Sequence, residues 1–535
     1  MTRSQIKQAH DGFVDPKLEI WILVATILAS SMSFISSSVL TIIIPSLQTD
    51  LNANGTEALW INVANPLFLS ALILVCGSLG DHFGRKRIFK YGVGLFTLAS
   101  IICGFAPNTI VLIIFRAIQG IGGAMMVPGS LAIITASFPK EKRGRAIGTW
   151  STFSALTTII GPVIGGWLAG QGLWRMVFFM NIPLAIIVFI ALTRVPESRD
   201  ENAPKQLDYT GALLAVLGLA GLTFGFIQAP DFGWDDPRVY GTIIGGMIAF
   251  AGFIYTEATS THPMMPLRLF KSRTFSGANA MTLFLYGALS GALFFFPLNL
   301  IQIQGYPEEI AALTLMPLPV FLTIMGRWSG GLVDRIGSRL PLVVGAIIVG
   351  FGFALFALPG VTAGPSDYWT TYFPPAIVLG FGMGIIVAPL TTTVMTAAPE
   401  DQSGTASGIN NAVSRTAGVL AVAIMGSIAI ISFGNAIEAR SDDLDLSDPQ
   451  RMALIDEASK LGDASPPDGL TEALMQEVDT VIKESFVDMF RILVLIGAVM
   501  AWISALMAYL IIEPYHKVLK KYRTSEMPAV NTGDD

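Results

Sequence analysis

The sequence is poor in the residue types from which most catalytic and metal sites are built. It has two cysteines, Cys76 and Cys103, and four histidines in 535 residues, and only 13% of its residues are charged. A typical soluble domain carries about 25% charged residues. Both cysteines lie in apolar segments and predict neither a disulfide framework nor a cysteine-based metal site. No H-E-x-x-H, P-loop or G-x-S-x-G pattern occurs. We therefore expect no enzyme activity, no cofactor, no metal and no nucleic-acid partner.

Apolar residues are abundant instead, at 52% of the chain, and the mean hydropathy is +0.61. They form blocks of roughly 18–28 residues, each long enough to cross a hydrocarbon layer of about 30 Å. In lipid a segment must satisfy its own backbone polar groups, so blocks of this length predict helices. The sequence thus predicts an all-α membrane protein with fourteen transmembrane spans, numbered in chain order, near residues 20–45, 58–80, 88–106, 110–134, 146–170, 176–193, 209–229, 239–256, 275–303, 311–333, 341–358, 373–397, 407–433 and 487–512.

The basic residues predict the orientation of these spans. An even number of spans places both chain ends on one side of the membrane. Lysine and arginine cluster on that side: Arg85, Lys86, Arg87, Lys90, Lys140, Lys142, Arg143, Arg145, Arg268, Lys271, Arg273, Lys517, Lys520, Lys521 and Arg523. Connections on the opposite side, such as 106–108, are nearly free of them. The positive-inside rule therefore predicts a multi-pass protein of the plasma (inner) membrane with both termini in the cytoplasm.

The longest connection, 434–485, lies on the extracytoplasmic side in this scheme. It holds thirteen acidic and four basic residues. Its last part, 470–486, has apolar positions at helical spacing and predicts a surface helix or a hairpin. Two interpretations of the acidic charge stay open: the residues form a solvated loop, or their charge attracts the substrate.

Two sequence repeats predict the architecture. The pattern Gly-x-Leu-x-Asp-x-x-Gly follows span 2 and returns after span 10, 253 residues later: Gly77, Leu79, Asp81 and Gly84 recur as Gly330, Leu332, Asp334 and Gly337. Seven more residues recur at an offset of 260: Gly120, Gly122, Val127, Pro139, Gly144, Ala146 and Gly148 return as Gly380, Gly382, Val387, Pro399, Gly404, Ala406 and Gly408. We expect two six-helix bundles, 20–194 and 273–512, a linker 195–272 with two extra transmembrane helices, and tails 1–19 and 513–535.

Several motifs resemble those of the major facilitator superfamily, and of its fourteen-span drug–proton antiporters in particular. The loop after span 2 reads Gly77-x-Leu79-x-Asp81-x-x-Gly84-Arg85-Lys86-Arg87. Span 4 contains Leu112-x-x-x-Arg116-x-x-Gln119-Gly120-x-Gly122-Gly123-Ala124. Span 5 contains Gly161-Pro162-x-x-Gly165-Gly166, which resembles the antiporter motif of drug exporters, and span 6 opens with Trp174-Arg175-x-x-Phe178-x-x-Asn181-x-Pro183. The resemblance covers essentially the whole chain and implies the major facilitator fold and multidrug efflux.

Gating is the expected role of two of these motifs. Asp81 can face a helix N-terminus, where an anion is favoured, and can pair with Arg85 and Arg87. Pairs that form in one state and break in the other make a conformational latch, although topology-setting charge is the alternative. The span 5 motif can bend the helix or allow close helix approach. The candidate gating residues are Gly77, Asp81, Gly84, Arg85, Arg87, Asp334, Gly161, Pro162, Gly165 and Gly166.

Arg116 is the first candidate for a proton or substrate relay, together with Gln119. A charged side chain inside a span costs about 2.5–3.5 kcal/mol on insertion scales and normally faces a wet cavity. Its repeat partner is Ala376, so the charge is present in one half only. Arg415 in span 13 is placed nearer the cytoplasmic end and interpreted as structural or gating. The resemblance implies a central cavity between spans 1, 4, 9 and 12, and the candidate cavity residues are Ser36, Thr41, Met125, Met126, Asn279, Tyr286, Phe294 and Met383.

The chain departs from the family pattern in span 1. Relatives carry an acidic residue where Ser36 stands, and no carboxylate occurs near the midpoint of another span. A serine hydroxyl does not ionise at physiological pH and cannot serve as the titrating group, and Arg116 stays protonated. The expected function is export of a lipophilic small molecule, neutral or anionic, by alternating access. Proton coupling and uncoupled or potential-driven export of an organic anion or lipid both stay open. Membrane lipids are expected partners, a periplasmic adaptor stays open, and a membrane-embedded sensor or enzyme is the disfavoured alternative.

Overall fold

The spans follow from the apolar blocks and are helical throughout. The computed structural model describes residues 16–199, 208–261, 263–399, 402–442 and 444–514, and within them it contains helices and no strand. Eleven of these helices are long and apolar enough to cross a membrane, and three shorter apolar helices cover Ile160–Gly170, Met176–Leu192 and Pro317–Gly326. Together they match the predicted blocks in order. The all-α membrane fold is confirmed, and the count of fourteen stays a prediction.

Within the described residues 16–199, eight helices form the first six spans, because spans 1 and 6 each consist of two helices, and the connections between spans are short. Span 1 is interrupted at Val39, where two helices meet. The helices of this part are Pro16–Ser38 and Leu40–Leu51 (span 1), Gly55–Phe83 (2), Arg85–Gly104 (3), Thr109–Ser137 (4), Lys140–Gly170 (5), and Met176–Phe179 with Asn181–Leu192 (6). Five of the spans are thereby longer than their apolar blocks.

The rest of the chain contains a helical hairpin and then a second set of spans. The hairpin helices, Tyr209–Phe232 and Pro237–Thr259, pack mainly on each other and also touch spans 2 and 13. The remaining helices are Arg273–Leu298 (span 9, continued by a π-helical turn, Asn299–Ile303), Glu308–Ala311, Pro317–Gly330 and Leu332–Ile336 (10), Arg339–Phe356 (11), Tyr368–Thr371 and Phe373–Thr396 (12), Ser403–Ser441 (13), Asp448–Glu457 in the last connection, and Glu472–Ile511 (14).

The sequence repeat is also a repeat of local packing. A Cβ atom on Gly122 would lie 2.7 Å from the backbone nitrogen of Phe96 in span 3, and one on Gly382 would lie 2.8 Å from that of Val349 in span 11. Phe96 and Val349 are themselves 253 residues apart. Only glycine permits these approaches, because any side chain would overlap backbone atoms. Spans 3 and 4 therefore pack as spans 11 and 12 do.

The two sides of the helical layer differ in how the halves meet. We call the side of Gly55 and Thr109 distal and the side of Pro16, Gly84 and Ser403 proximal. A single large buried apolar core runs along spans 9–14 and joins them to spans 1 and 2 on the distal side. On the proximal side the first half has a separate core of its own, which includes Ile22, Phe89 and Met126. Cohesion between the halves is thus greatest on the distal side.

The connection between spans 13 and 14 is shorter than the sequence predicts. Span 13 continues as a helix to Ser441, and the helix of span 14 begins at Glu472. The predicted loop 434–485 is therefore wrong at both ends, and residues 470–486 form neither a separate surface helix nor a hairpin. Both helices extend beyond the apolar blocks because their ends pack on each other, with Phe433 and Phe486 in edge contact. Apolar content alone does not reveal this extension.

Candidate functional site

Arg116 is the centre of a buried polar network between spans 1, 2 and 4. Its side chain has no exposed surface. Nη1 donates to Ser36 Oγ at 2.9 Å and to Gln119 Oε1 at 2.6 Å, and Nε donates to the Ile61 carbonyl at 3.4 Å. Nη2 has no hydrogen-bond partner among the described residues. The predicted residues Ser36, Arg116 and Gln119 are thus brought together.

The network continues away from Arg116 into spans 3 and 6. Gln119 Nε2 donates to Ser100 Oγ at 2.6 Å, and Asn65 Nδ2 donates to Gln119 Oε1 at 3.3 Å. Asn181 Nδ2 donates to the same Ser100 hydroxyl at 3.3 Å. Sequence reasoning missed Asn65 and Ser100, because one polar residue in an apolar helix is not distinguished from a chance substitution. Asn181 belongs to the span 6 motif, and that motif is the one feature of the sequence that pointed to it.

The expectation that Arg116 faces a water-filled chamber is not met in this conformation, because protein surrounds its guanidinium on all sides. Arg415 lies in the first third of the helix Ser403–Ser441, nearer its proximal end as predicted, and its side chain is partly exposed. The packing of span 13 on span 2 places Arg415 level with the middle of span 2.

The other candidate cavity residues occupy several separate positions. Asn279 accepts a hydrogen bond from Asn410 at 3.1 Å, joining spans 9 and 13, and the Thr41 hydroxyl donates to the Ser38 carbonyl. The structure does not collect the remaining five around Arg116. Phe294 and Met383 lie in the large core that joins the two halves, and Tyr286 packs against it. Met126 lies in the separate proximal core, and Met125 is half-buried.

The loop after span 2 has one of its two predicted ion pairs. Arg85 Nε lies 2.7 Å from Asp81 Oδ1, whereas Arg87 is exposed and has no partner within the described residues. The anion at the N-terminus of span 3 is Glu197, whose carboxylate accepts the Lys86 backbone N–H at 2.9 Å. The expectation that Asp81 occupies a helix N-terminus is therefore not met at span 3. Glu197 follows span 6 by several residues, and no motif marked it.

The glycines of this loop behave alike in both halves. Gly84 has a φ of +108° and Gly337 a φ of +78°, a backbone region that favours glycine. Gly77 lies close enough to span 4 that a Cβ atom would be 3.7 Å from Pro128, an ordinary contact. Asp334 belongs to the short helix Leu332–Ile336, and its side chain lies outside what the structure describes.

The span 5 motif lies where span 5 meets span 1. A Cβ atom on Gly161 would be 2.6 Å from Ser38 Oγ, and one on Gly165 would overlap the Val39 side chain. The helix Lys140–Gly170 continues through Pro162 without interruption. Close helix approach is therefore a role of these glycines in this conformation.

Two equivalent contacts close the distal side between the halves. A Cβ atom on Gly166 of span 5 would lie 2.6 Å from the Glu308 carbonyl oxygen and 3.0 Å from Ala312 Cβ of span 10. A Cβ atom on Gly426 of span 13 would lie 2.5 Å from Leu59 of span 2. Gly426 is 260 residues after Gly166, and Ala312 is 253 residues after Leu59. The two contacts are thus related by the repeat.

Span 1 and the last connection add contacts on the distal side that have no repeat counterpart. Ser46 Oγ donates to Glu308 at 2.5 Å, and Gln302 Nε2 donates to Gln48 at 3.2 Å. Leu461 of the last connection is 1% exposed and packs on Gly55 at the start of span 2. Burial raises the pKa of the nearby Asp463 above its ordinary value, although a hydrogen bond from Thr49 opposes this.

The family follows from a comparison with known sequences. Residues 26–422 match the pattern described as the Major Facilitator Superfamily. The chain belongs to the Major Facilitator Superfamily. The predictions of this fold, of a multi-pass membrane protein and of a transporter rather than an enzyme are thereby confirmed.

Relatives within the superfamily are named for export or for multidrug resistance. The chain is 28% identical over 493 residues to the tetracenomycin C resistance and export protein of Streptomyces glaucescens, covering 91% of this chain and 90% of that one. It is 30% identical over 420 residues to the multidrug resistance protein Stp of Mycobacterium tuberculosis, covering 77% and 76%. The predicted resemblance to multidrug efflux transporters is confirmed at this level.

Solved transporters share the fold. A bacterial homologue of the human lysosomal transporter Spinster, in an inward-facing and occupied conformation, has a TM-score of 0.64 and 18% identity, covering 94% of this chain and 99% of that one. The POT family transporter PepTSo has a TM-score of 0.60 and 12% identity, covering 96% of this chain and 100% of that one. At this level of identity the likeness shows the major facilitator fold and carries no information on substrate.

Proposed function

We propose that this protein exports lipophilic small molecules across the plasma (inner) membrane by alternating access, with both chain ends in the cytoplasm. The pair of repeat-related contacts on the distal side is the observation that supports it most. Gly166 meets span 10 and Gly426 meets span 2, so each half contributes one closing contact of the same kind. Two related bundles that close one side through equivalent contacts can rock about a central site.

The exposure of the proximal side fits a chamber that opens there. Ser151 and Thr152 on the proximal part of span 5 are exposed, and so are Thr323 and Ile324 on span 10. Spans 5 and 10 are in contact at their distal ends, at Gly166 and Glu308. Under the proposed orientation the chamber would receive cargo from the cytoplasm or the inner leaflet.

The proposed cargo is neutral or anionic. No Asp or Glu lies in the middle third of a predicted span. A cationic cargo would therefore find no carboxylate to pair with at that depth of the described helices. The guanidiniums of Arg116 and Arg415, by contrast, are described side chains that lie several residues inside their spans. Cations are the least compatible cargo, because like charges repel strongly where the local dielectric is low.

Proton antiport and the membrane potential remain the two candidate energy sources, and the missing carboxylate favours the membrane potential. Proton antiport needs a group that titrates as the chamber opens and closes. Potential-driven export of an anion needs no such group, since a membrane potential supplies about 2.3 kcal/mol per charge per 100 mV. A proton-coupled exporter would have to use a carboxylate at a span end, such as Glu57, Asp81 or Asp488.

Counterflow in proteoliposomes tests the proposal. The probe is tetracenomycin C, the compound in the name of the Streptomyces relative. We expect uptake that exceeds that of protein-free liposomes and that does not require a pH gradient. Dependence on an imposed pH gradient, with no response to a potassium diffusion potential, would favour antiport. Absence of counterflow for tetracenomycin C and for a series of neutral and anionic lipophilic dyes would refute the exporter proposal.

Labelling of single cysteines tests the orientation. Cys76 and Cys103 are buried, so the native thiols add little background. An impermeant maleimide applied to intact cells should label a cysteine at Asn108 and leave one at Arg194 unlabelled. The reverse pattern would contradict cytoplasmic termini.

A further inference from the structure

Arg415 lies on the face of span 13 that is turned toward the first half of the molecule. Ala412 packs with a cluster of span 2 and span 4 residues, and Val419 packs against Leu67 of span 2. Arg415 follows Ala412 by three residues and precedes Val419 by four. Residues at these spacings share one helix face. The guanidinium therefore extends into the space between the two halves and not toward lipid.

The same contacts give the depth of Arg415. Spans 2 and 13 run in opposite directions, and Gly408 is level with Leu74 while Gly426 is level with Leu59. Arg415 lies between these two levels, close to Leu69, which is the central residue of the 29-residue helix Gly55–Phe83. Arg415 is accordingly near the middle of the membrane layer.

No group in the described part of the chain pairs with this charge. Within the described residues Arg415 has no hydrogen bond and no ion pair, yet its side chain is partly exposed. Arg116, by contrast, is fully buried and bonded to two side chains. An unpaired cation at mid-depth is costly, and such residues are retained where they contact water or a ligand. Arg415 is thus a deep guanidinium whose donors have no partner among the described residues.

We propose that Arg415 binds the anionic group of an amphipathic cargo in the central chamber, and that Arg116 does not contact that group while the distal side is closed. This inference rests on the proposed export function and adds the residue that recognises the charge. A guanidinium offers five N–H donors in a planar fork that suits carboxylate, sulfonate or phosphate oxygens. The apolar walls of spans 2 and 13 on either side suit the lipophilic part of the same molecule.

A pair of ions with the same shape and opposite charge tests the proposal. Tetraphenylborate and tetraphenylphosphonium differ mainly in the sign of their charge. Binding is measured by equilibrium dialysis against the full chain in lipid nanodiscs, because both ions cross lipid unaided, and partition into empty nanodiscs is subtracted. We expect tighter binding of tetraphenylborate than of tetraphenylphosphonium. Arg415→Gln should weaken tetraphenylborate binding about tenfold or more, because it removes the opposite charge from a site of low local dielectric.

Two further variants complete the design. Arg415→Lys keeps the charge and should retain most of the preference for the borate. Arg194→Gln is the matched control, since Arg194 is an exposed guanidinium at the proximal end of span 6 without a side-chain partner in the described structure, and it should bind both ions as the wild type does. Size-exclusion chromatography reports whether each variant is folded, and if Arg415→Gln aggregates, the wild-type preference and Arg415→Lys decide.

The possible outcomes separate this inference from the function on which it rests. Equal wild-type affinity for the two ions, or unchanged borate binding in folded Arg415→Gln, would overturn the role of Arg415. If tetracenomycin C counterflow persisted in that case, the exporter proposal would stand without it. A wild type that prefers the borate and lacks counterflow for every probe would instead contradict export and leave anion binding in place.

Discussion

Gly166→Ala should shift the transporter away from the distal-closed conformation. The new Cβ atom would lie 2.6 Å from the Glu308 carbonyl oxygen, and backbone at this site cannot rotate away as a side chain can. Overpacking of this kind costs about 1–3 kcal/mol, which lowers the closed-to-open ratio about five- to 150-fold. Spin labels at Gln171 and Trp369, two exposed positions at distal ends of spans 5 and 12, report this ratio as a distance distribution.

Gly148→Ala is the control on the same helix. A Cβ atom on Gly148 would meet no atom within 4 Å. Both substitutions raise helix propensity by about 0.8–1 kcal/mol, so their difference isolates the contact with Glu308. We expect the long-distance population to grow with Gly166→Ala and to stay unchanged with Gly148→Ala. Equal distributions for the two variants would refute the assignment of Gly166 to the distal closure.

Three further predictions concern the connection between spans 13 and 14 and the proximal loop. Leu461→Ala removes a buried side chain that packs on Gly55, and the packing free energy lost is up to about 2–5 kcal/mol. If Leu461 stabilises the distal-closed state, the distal-open fraction should rise in the same distance assay. A lower thermal stability with unchanged distances would mean that Leu461 stabilises the fold and not the closed state. Since burial raises the pKa of Asp463, the closed state binds a proton more tightly, so closure should strengthen as pH falls through that raised pKa, and Asp463→Asn should abolish this dependence. Glu197→Gln should lower the unfolding free energy by about 0.3–1 kcal/mol, because it removes the anion at the N-terminus of span 3, whereas an effect equal to that of the exposed Arg194→Gln would contradict this role.

The architecture could be predicted because it depends on short-range signals that occur twice. Apolar length predicts spans, and glycine spacing predicts close approach. The positive φ values at Gly84 and Gly337 show that the repeated glycine has the same backbone role in both copies. Signals of this kind are visible in one sequence, because a requirement of the backbone leaves glycine as the permitted residue.

The side-chain partners could not be predicted, because they depend on contacts between distant segments. Glu197 is 111 residues from Lys86, and Leu461 is more than four hundred from Gly55. Arg116 was singled out as a charge inside its span but was expected to face water, and the sequence does not show that Ser36 and Gln119 enclose it. Arg415 was judged from its distance to the end of an apolar block. Its true depth depends on the register between spans 13 and 2, which no single-sequence signal contains.

The repeated and the unrepeated contacts act on different parts of the transport cycle. Gly166 and Gly426 are related by the repeat, so a rocking motion that separates one contact also separates the other. Leu461 and the bond from Ser46 to Glu308 have no repeat counterpart and act on the distal side. They stabilise the distal-closed state without an equal contribution to the opposite one. In an exporter with cytoplasmic termini, this bias returns the empty protein to the state in which Arg415 is accessible from the cytoplasm.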